Sequence, residues 1–331
     1  MNSRIIKQDI DLINEKLLFI ATRVEKFIPG IKQQLFSGGK KLRPSLLMMA
    51  YRVVSSKGKQ SYLKQALNFA AIIEMLHNAS LLHDDVIENA PLRRGKETIN
   101  SLYGNKKAIL AGDLLTAFSV SLLYSLKNSK IIERSLKIYG EAAKKLVEGE
   151  IEEVTGLFKT SITEKEYYKV ITGKTAVLFM AACETGAVLA GANKKQVKAM
   201  RTYGSNLGVA FQIMDDILDY TATEDVLGKP TASDLLEGKI TLPVIYLLKS
   251  ANEAERLKIR RIVAEIRKGK KEKADIIYIM GLLDKYSSLD KSYRRAKVYV
   301  KKAAASLKNL PENEFKEALL KMAEFAIERN Y

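Results

Sequence analysis

Apolar residues recur at helical spacing along almost the whole chain, and only 6 prolines interrupt them in 331 residues. No run of alternating β-branched residues is long enough to make a sheet. The expected fold class is therefore all-α. No Gly/Ser/Pro-rich linker, low-complexity segment or solenoid-length repeat divides the chain, so the pattern predicts a single domain, 1–331, large enough for a generous core. Helices are expected over 8–28, stopping before Pro29, then as a short turn over 31–36, and over 61–89, 105–127, 129–158 and 162–192. Residues 240–331 read as amphipathic helices with basic runs such as Lys268 to Lys273. Those runs are solvated faces or, as the lesser reading, a dock for an anionic membrane.

Two acidic clusters interrupt this apolar pattern, and the chain is expected to be organised around a cavity that they share. The first is Asp84, Asp85 and Glu88; the second is Asp215, Asp216 and Asp219. Asp84 and Glu88 are four apart, as are Asp215 and Asp219, so each pair shares a helix face and its charges repel. Pro91 should stop the first helix near Asn89, and the Thr-Ala-Thr run after Tyr220 should stop the second. Both clusters then lie in a last turn, where the helix dipole is already negative. Leu81, Leu82, Val86 and Ile87 around the first, and Phe211, Ile213, Met214, Ile217 and Leu218 around the second, read as core. Carboxylates in such a setting need cations. One cysteine, Cys183, and two histidines, His77 and His83, offer no zinc set. All-oxygen ligation favours Mg²⁺, completed by water and substrate phosphate.

Basic residues stand close by. Gly38-Gly39-Lys40-Lys41-Leu42-Arg43-Pro44 puts cations on a flexible backbone just before a helix that Pro44 would open, which suits an anion as well as it suits an exposed turn. Arg93 and Arg94 follow the first cluster and could clamp phosphate oxygens. Lys174, beside Thr175 in a very apolar stretch, either snorkels or faces an anion. Lys229 and Lys239 follow the second cluster. Asp113, a lone acid in an apolar segment, reads as a satisfied core polar group. Ala79 and Ser80, one turn before Asp84, either pack tightly or leave a gap.

Lys+Arg 55 against Asp+Glu 38 gives a net charge of +17. No groove-entry motif or basic-aromatic interleaving accompanies it, so nucleic acid is not the expected partner. A single cysteine fits a reducing compartment, and the acid-containing N-terminal stretch is not a signal peptide; a cytoplasmic protein is expected. The nearest approach to a membrane span is Thr175 to Ala192, which reads as a buried core helix.

These motifs together resemble the trans-isoprenyl diphosphate synthases of the polyprenyl synthase family. The resemblance rests on GGKKLRP at 38–44, HNASLLHDD at 77–85, RRG at 93–95, AILAGDLL at 108–115, GKTA at 173–176, FQIMDDILDY at 211–220, and GK with DLLEGKITLP at 228–243. Glu88 departs from the family's usual aspartate, but its longer arm can still reach a metal. The resemblance implies the isoprenoid synthase fold, helices around a deep central cavity, in a homodimer. It also implies head-to-tail addition of isopentenyl diphosphate to an allylic diphosphate, with farnesyl or geranylgeranyl diphosphate as primer. Roughly two or three Mg²⁺ ions, on Asp84, Glu88 and Asp215 with Asp85, Asp216 and Asp219 in support, would grip the allylic diphosphate. Arg93, Lys174, Lys229 and Lys239 would neutralise it as it leaves. Thr175 and Gln212 would shelter the carbocation. Lys40, Arg43, His77 and Arg94 would hold isopentenyl diphosphate, and the released diphosphate would take the proton.

Product length follows from the same resemblance. Bulky residues four and five before the first aspartate block the growing chain in this family, and here those positions are Ser80 and Ala79. The expected product therefore exceeds four isoprene units, with hexaprenyl as the central expectation and geranylgeranyl diphosphate as the alternative. The floor of the tunnel would lie deeper, near Met75 and Ile72 and at Leu136 or Tyr139 of a facing helix. A class I terpene cyclase lacks the second aspartate-rich motif, and a regulatory subunit of a heteromeric synthase loses one of the two. Lysine-rich composition alone leaves nucleic-acid binding as a third reading.

Overall fold

The computed structural model describes residues 6–36, 41–55, 62–124, 126, 129–221 and 231–328. Lys40 and Lys229, with the two glycines before Lys40, lie outside the described residues. Helices dominate, as expected. α1 (Lys7–Val24) buries Ile13, Leu17, Ile20 and Val24. It ends earlier than Pro29 predicts, because the Glu25 carboxylate accepts from Gly30 N at 3.0 Å and Lys32 N at 2.9 Å and so caps α2 (Ile31–Phe36). α3 (Leu42–Val54) follows Lys41, whose φ is 45°. Pro44 is its third residue, not its first; the N–H there has no partner within the helix either, so proline is tolerated.

α4 (Leu63–Ile87) stops where Pro91 predicts. Asn89 takes a left-handed φ of 52°, and Ala90 N donates to Asp85 O at 2.9 Å, closing the helix in Schellman fashion. The element after it has no signature in the local residue pattern. β1 (Leu92–Arg93) and β2 (Lys96–Glu97) pair antiparallel, Arg93 opposite Lys96. Arg94 and Gly95 form the two-residue turn, both at positive φ, 53° and 72°. α5 (Ile99–Tyr103), α6 (Asn105–Tyr124) and α7 (Lys130–Gly156) come next.

The helix expected over 162–192 is shorter and is not uniform. A capping box of Thr163 and Glu166 starts α8 (Glu164–Ile171). Thr172–Ala176 then forms a π-helical turn, and α9 (Val177–Leu189) completes the segment. α10 (Lys194–Thr221) reaches the first residue of the Thr-Ala-Thr run. The remaining helices are α11 (Ser233–Leu236), α12 (Leu242–Ser250), α13 (Glu253–Arg267), α14 (Lys273–Lys285), α15 (Ser288–Ser306) and α16 (Glu314–Phe325).

Residue contacts group the chain into two compact units. The first comprises 1–144, 178–204 and 304–322. In it α4 packs most extensively on α6, over a core that includes Leu46, Met48, Phe69 and Ile72. The second comprises 145–177, 205–303 and 323–331. Its core gathers Ile213, Leu242, Val244, Ile259, Val263 and Leu283. Three residues depart from their expected burial. Ile87 is 45% exposed rather than core, Asp113 is exposed rather than a satisfied core acid, and Leu136 lies on an exposed helix face. Among the described helices, the one long and apolar enough to cross a membrane is Asn105–Tyr124, not the Thr175 to Ala192 stretch. α9 is the buried helix that its small residues suggested.

Candidate active site

In the first unit, the end of α4 sorts its three acids by direction. Asp85 is buried and both its oxygens are engaged: Arg93 Nε donates to Oδ1 at 2.5 Å and Gln34 Nε2 to Oδ2 at 2.9 Å. Burial raises its carboxyl above the ordinary range, and the Arg93 guanidinium opposes that rise. Asp84 and Glu88 are only partly buried. Arg93 spans the group, with Nη2 3.8 Å from Glu88. The hairpin of β1 and β2 sets this geometry, placing Arg93 under the helix end and Arg94 in its turn.

Two turns back along α4, the His77 ring has Arg43, Arg94, Arg93 and Lys41 around it. Desolvation first, then these cations, push its pKa well below the usual histidine value, so it is neutral at pH 7. Burial also lowers Arg94. Lys41 is tied to Glu74 at 3.2 Å and to Leu35 O at 3.1 Å, and Arg43 lies over the Phe179 ring at 5.0 Å. The predicted group of Arg43, His77 and Arg94 is thus one cluster with a strongly positive field. Ser80 donates to His77 O at 2.8 Å. Ala79 and Met75 are each 2% exposed. Met75 faces a cavity of about 10 Å³ lined also by Leu17, Ile20, Leu35, Phe36 and Leu115. That space holds about one water. Leu136 is too exposed to be a floor within one chain, whereas Tyr139 is buried and hydrogen-bonded to Ser119 at 2.6 Å.

The second unit repeats the sorting. Asp216 is 2% exposed and accepts from Tyr167 OH at 2.6 Å and Gln212 Nε2 at 2.8 Å. The Gln212 carbonyl oxygen accepts from Thr175 Oγ1 at 2.6 Å. Burial, and then the charge of Asp234, raise the Asp216 carboxyl well above its ordinary value. Asp219 is also buried; it accepts from Ser233 Oγ at 2.6 Å and Asp234 N at 3.0 Å, pinning the start of α11. Asp215 is partly exposed.

Lys174 neither snorkels nor stands alone. Its ammonium is 2.8 Å from Glu150 and 2.6 Å from Glu153, both on α7. Lys239 lies 2.8 Å from Glu237 and 4.0 Å from Glu153. Two glycines allow this approach. A Cβ on Gly149 would stand 2.5 Å from Lys174 N, and one on Gly173 would stand 3.1 Å from Gly149 Cα. Backbone therefore meets backbone where α7 passes the π turn. Sequence reading missed Gln34, Tyr167 and Ser233 and gave no role to Glu74, Glu150 or Glu153. Their partners are distant in sequence, and no local spacing announces them.

Among the described residues no three His, Cys, Asp or Glu side chains converge tightly enough to hold a metal unaided. The outward carboxylates are all oxygen donors, one or two per cluster, which fits a cation that completes its shell with water and phosphate.

Comparison with known proteins places this arrangement. Residues 25–280 match the polyprenyl synthetase family. The octaprenyl diphosphate synthase of Haemophilus influenzae is 35% identical over 98% of this chain and 94% of its own. The crystal structure of a decaprenyl diphosphate synthase from Rhodobacter capsulatus has a TM-score of 0.88 and 36% identity, covering 99% of this chain and 98% of that one. A polyprenyl synthase from Caulobacter crescentus, solved with calcium and isoprenyl diphosphate, has a TM-score of 0.88 and 33% identity, covering 99% of this chain and 96% of that one. The chain belongs to the polyprenyl synthetase family and has its all-α isoprenoid synthase fold.

Proposed function

We propose that the whole chain, 1–331, acts as one trans-polyprenyl diphosphate synthase domain. It condenses isopentenyl diphosphate head-to-tail with an allylic diphosphate to a product longer than four isoprene units. The observation that carries the residue assignment is the sorting of carboxylates. Asp85, Asp216 and Asp219 are buried and accept from protein donors, whereas Asp84, Glu88 and Asp215 are partly exposed and are the candidate ligands. Mg²⁺ held there would neutralise charge developing on the allylic diphosphate. Asp85 orients Arg93 beside Glu88. Lys174 and Lys239, held by glutamates, are the candidate cations for the leaving group, with Lys229 as a third.

Gln212 is fixed by Asp216 and Thr175, so its amide presents one orientation to the reacting carbons. Arg43, Arg94 and neutral His77, with Lys40, hold the isopentenyl diphosphate. The released diphosphate accepts the proton, so no side-chain base is needed. Farnesyl and geranylgeranyl diphosphates are the proposed primers and hexaprenyl diphosphate the central product.

A homodimer completes the proposal. α6 exposes Leu110 at 61% and Tyr124 at 87%. α7 exposes Val147, Ile151 and Val154 at i, i+4 and i+7. Apolar stripes of that size mark interaction surfaces, and a second copy is the proposed occupant. The test is product analysis by mass spectrometry with isopentenyl diphosphate, Mg²⁺ and, separately, three allylic primers of increasing length. Products beyond four units support the reading; a stop at four transfers the chain to the geranylgeranyl class. No elongation with any primer defeats it.

A further inference from the structure

The positive charge of the chain is concentrated. Residues 253–273 carry nine Lys and Arg against four Asp and Glu. Two of those acids are spent internally, Glu255 on Lys285 and Tyr286, and Glu265 on Lys268 and Lys270. α13 is strongly two-sided. Ile259, Ile262, Val263 and Ile266 are buried in the core of the second unit. On the outside, Leu257, Arg261, Ala264 and Lys268 stand at i, i+4, i+7 and i+11, a single exposed stripe, with Arg260 and Arg267 beside it. Leu257 is 57% exposed. α14 packs alongside, with Lys258 Nζ 3.6 Å from the Tyr278 ring centre and Lys285 Nζ 2.7 Å from Glu255. It adds Ile277, 59% exposed. Arginines interleaved with exposed aliphatic side chains on a helix that is otherwise anchored suit the boundary between lipid headgroups and acyl chains.

We propose that the outer face of α13, with Ile277, docks the protein on an anionic lipid bilayer. The choice of a bilayer rests on the proposed product. Each CH₂ favours lipid over water by about fourfold, so a product of more than four five-carbon units leaves for a membrane far more readily than for water. The reaction that consumes it must then act on a membrane-borne polyprenyl diphosphate. Duplex nucleic acid is the less favoured partner, because phosphate contacts would supply its binding and give the exposed Leu257 and Ile277 no role.

The test is co-flotation of the full-length protein with phosphatidylglycerol vesicles, with phosphatidylcholine vesicles as the neutral comparison, at low and high salt. Binding to the anionic vesicles alone, weakened by salt, is expected. Each cation near the surface strengthens binding about fivefold. Replacing Arg260, Arg261, Arg267 and Lys268 together by glutamine should therefore weaken binding roughly a hundredfold or more, with elongation in detergent unchanged. Leu257→Asp, a single exposed change, is a second variant with the same expected direction. No binding by the wild type, or equal binding by both variants, overturns the proposal. Capture of a labelled DNA duplex that phosphatidylglycerol vesicles do not displace also overturns it, in favour of nucleic acid. Vesicle binding by a protein that elongates no primer leaves the docking surface standing and removes the proposed function.

Discussion

Gly149→Ala tests whether the height of Lys174 over α7 matters. The added Cβ would lie 2.5 Å from Lys174 N and 2.7 Å from Gly173 C, where ordinary contact begins at 3.4 Å. Both obstacles are backbone, so no side chain can swing away. The π turn and α7 must part by about 0.9 Å, the difference between 3.4 and 2.5. Overpacking of this kind costs about 1–3 kcal/mol, while replacing a helical glycine by alanine returns about 1 kcal/mol. The net loss of stability is therefore modest, about 1 kcal/mol. The effect on rate should be larger. A displacement near 1 Å stretches the Lys174 contacts to Glu150 and Glu153, now 2.8 and 2.6 Å, and a misplacement of that size costs on the order of a hundredfold in rate. Urea unfolding and steady-state elongation measure the two quantities. Gly140→Ala is the control, since a Cβ there meets nothing within 4 Å on the same helix; it should gain stability and keep full activity. A Gly149→Ala enzyme with kcat within twofold of wild type would refute the reasoning.

Four further outcomes follow from the site. Asp215→Asn should abolish Mg²⁺-dependent elongation at little cost in stability. Asp216→Asn should cost about 1–3 kcal/mol in urea unfolding, because an amide placed against the Gln212 and Tyr167 donors leaves buried groups unpaired; equal stability of the two variants would show that the inward acid is not structural. Ala79→Tyr should shorten the product by mass spectrometry, and an unchanged length removes the tunnel argument. His77 has a depressed pKa in the folded state, so the unfolded chain binds the proton first as pH falls below about 6.5. Stability is then lost on the acid side, by up to about 1.4 kcal/mol per pH unit until the folded pKa is reached. His77→Gln should make the stability profile between about pH 6.5 and 5 shallower, and an unchanged slope counts against a desolvated neutral ring.

The fold class was legible because helical periodicity runs nearly unbroken, and the stop of α4 because proline restricts the residue before it. The Arg43, His77 and Arg94 cluster was legible as chemistry. What escaped was pairing at long range. Nothing local announces that Gln34 donates to Asp85, 51 residues on, or that Tyr167 donates to Asp216, 49 residues on. The sorting of each acid cluster into inward and outward members escaped for the same reason, since Asp84 and Asp85 are chemically alike and only their partners separate them. The hairpin at Leu92 was missed because two-residue strands carry no alternation. An apolar stretch around Lys174 is equally compatible with snorkelling and with an anionic partner, and only the packing of α7 supplies the carboxylates that decide it.

The π turn at Thr172–Ala176 is, in effect, one residue more than a regular helix would hold. Deleting a single residue there would let α8 and α9 join as one ordinary helix, with better backbone hydrogen bonds. It would also rotate everything on one side by about 100°, carrying Lys174 and Thr175 away from Glu153 and Gln212. The chain thus keeps a locally inferior helix as the condition for aiming two side chains. Selection for stability alone would drive this segment toward a shorter and straighter form that no longer aims them.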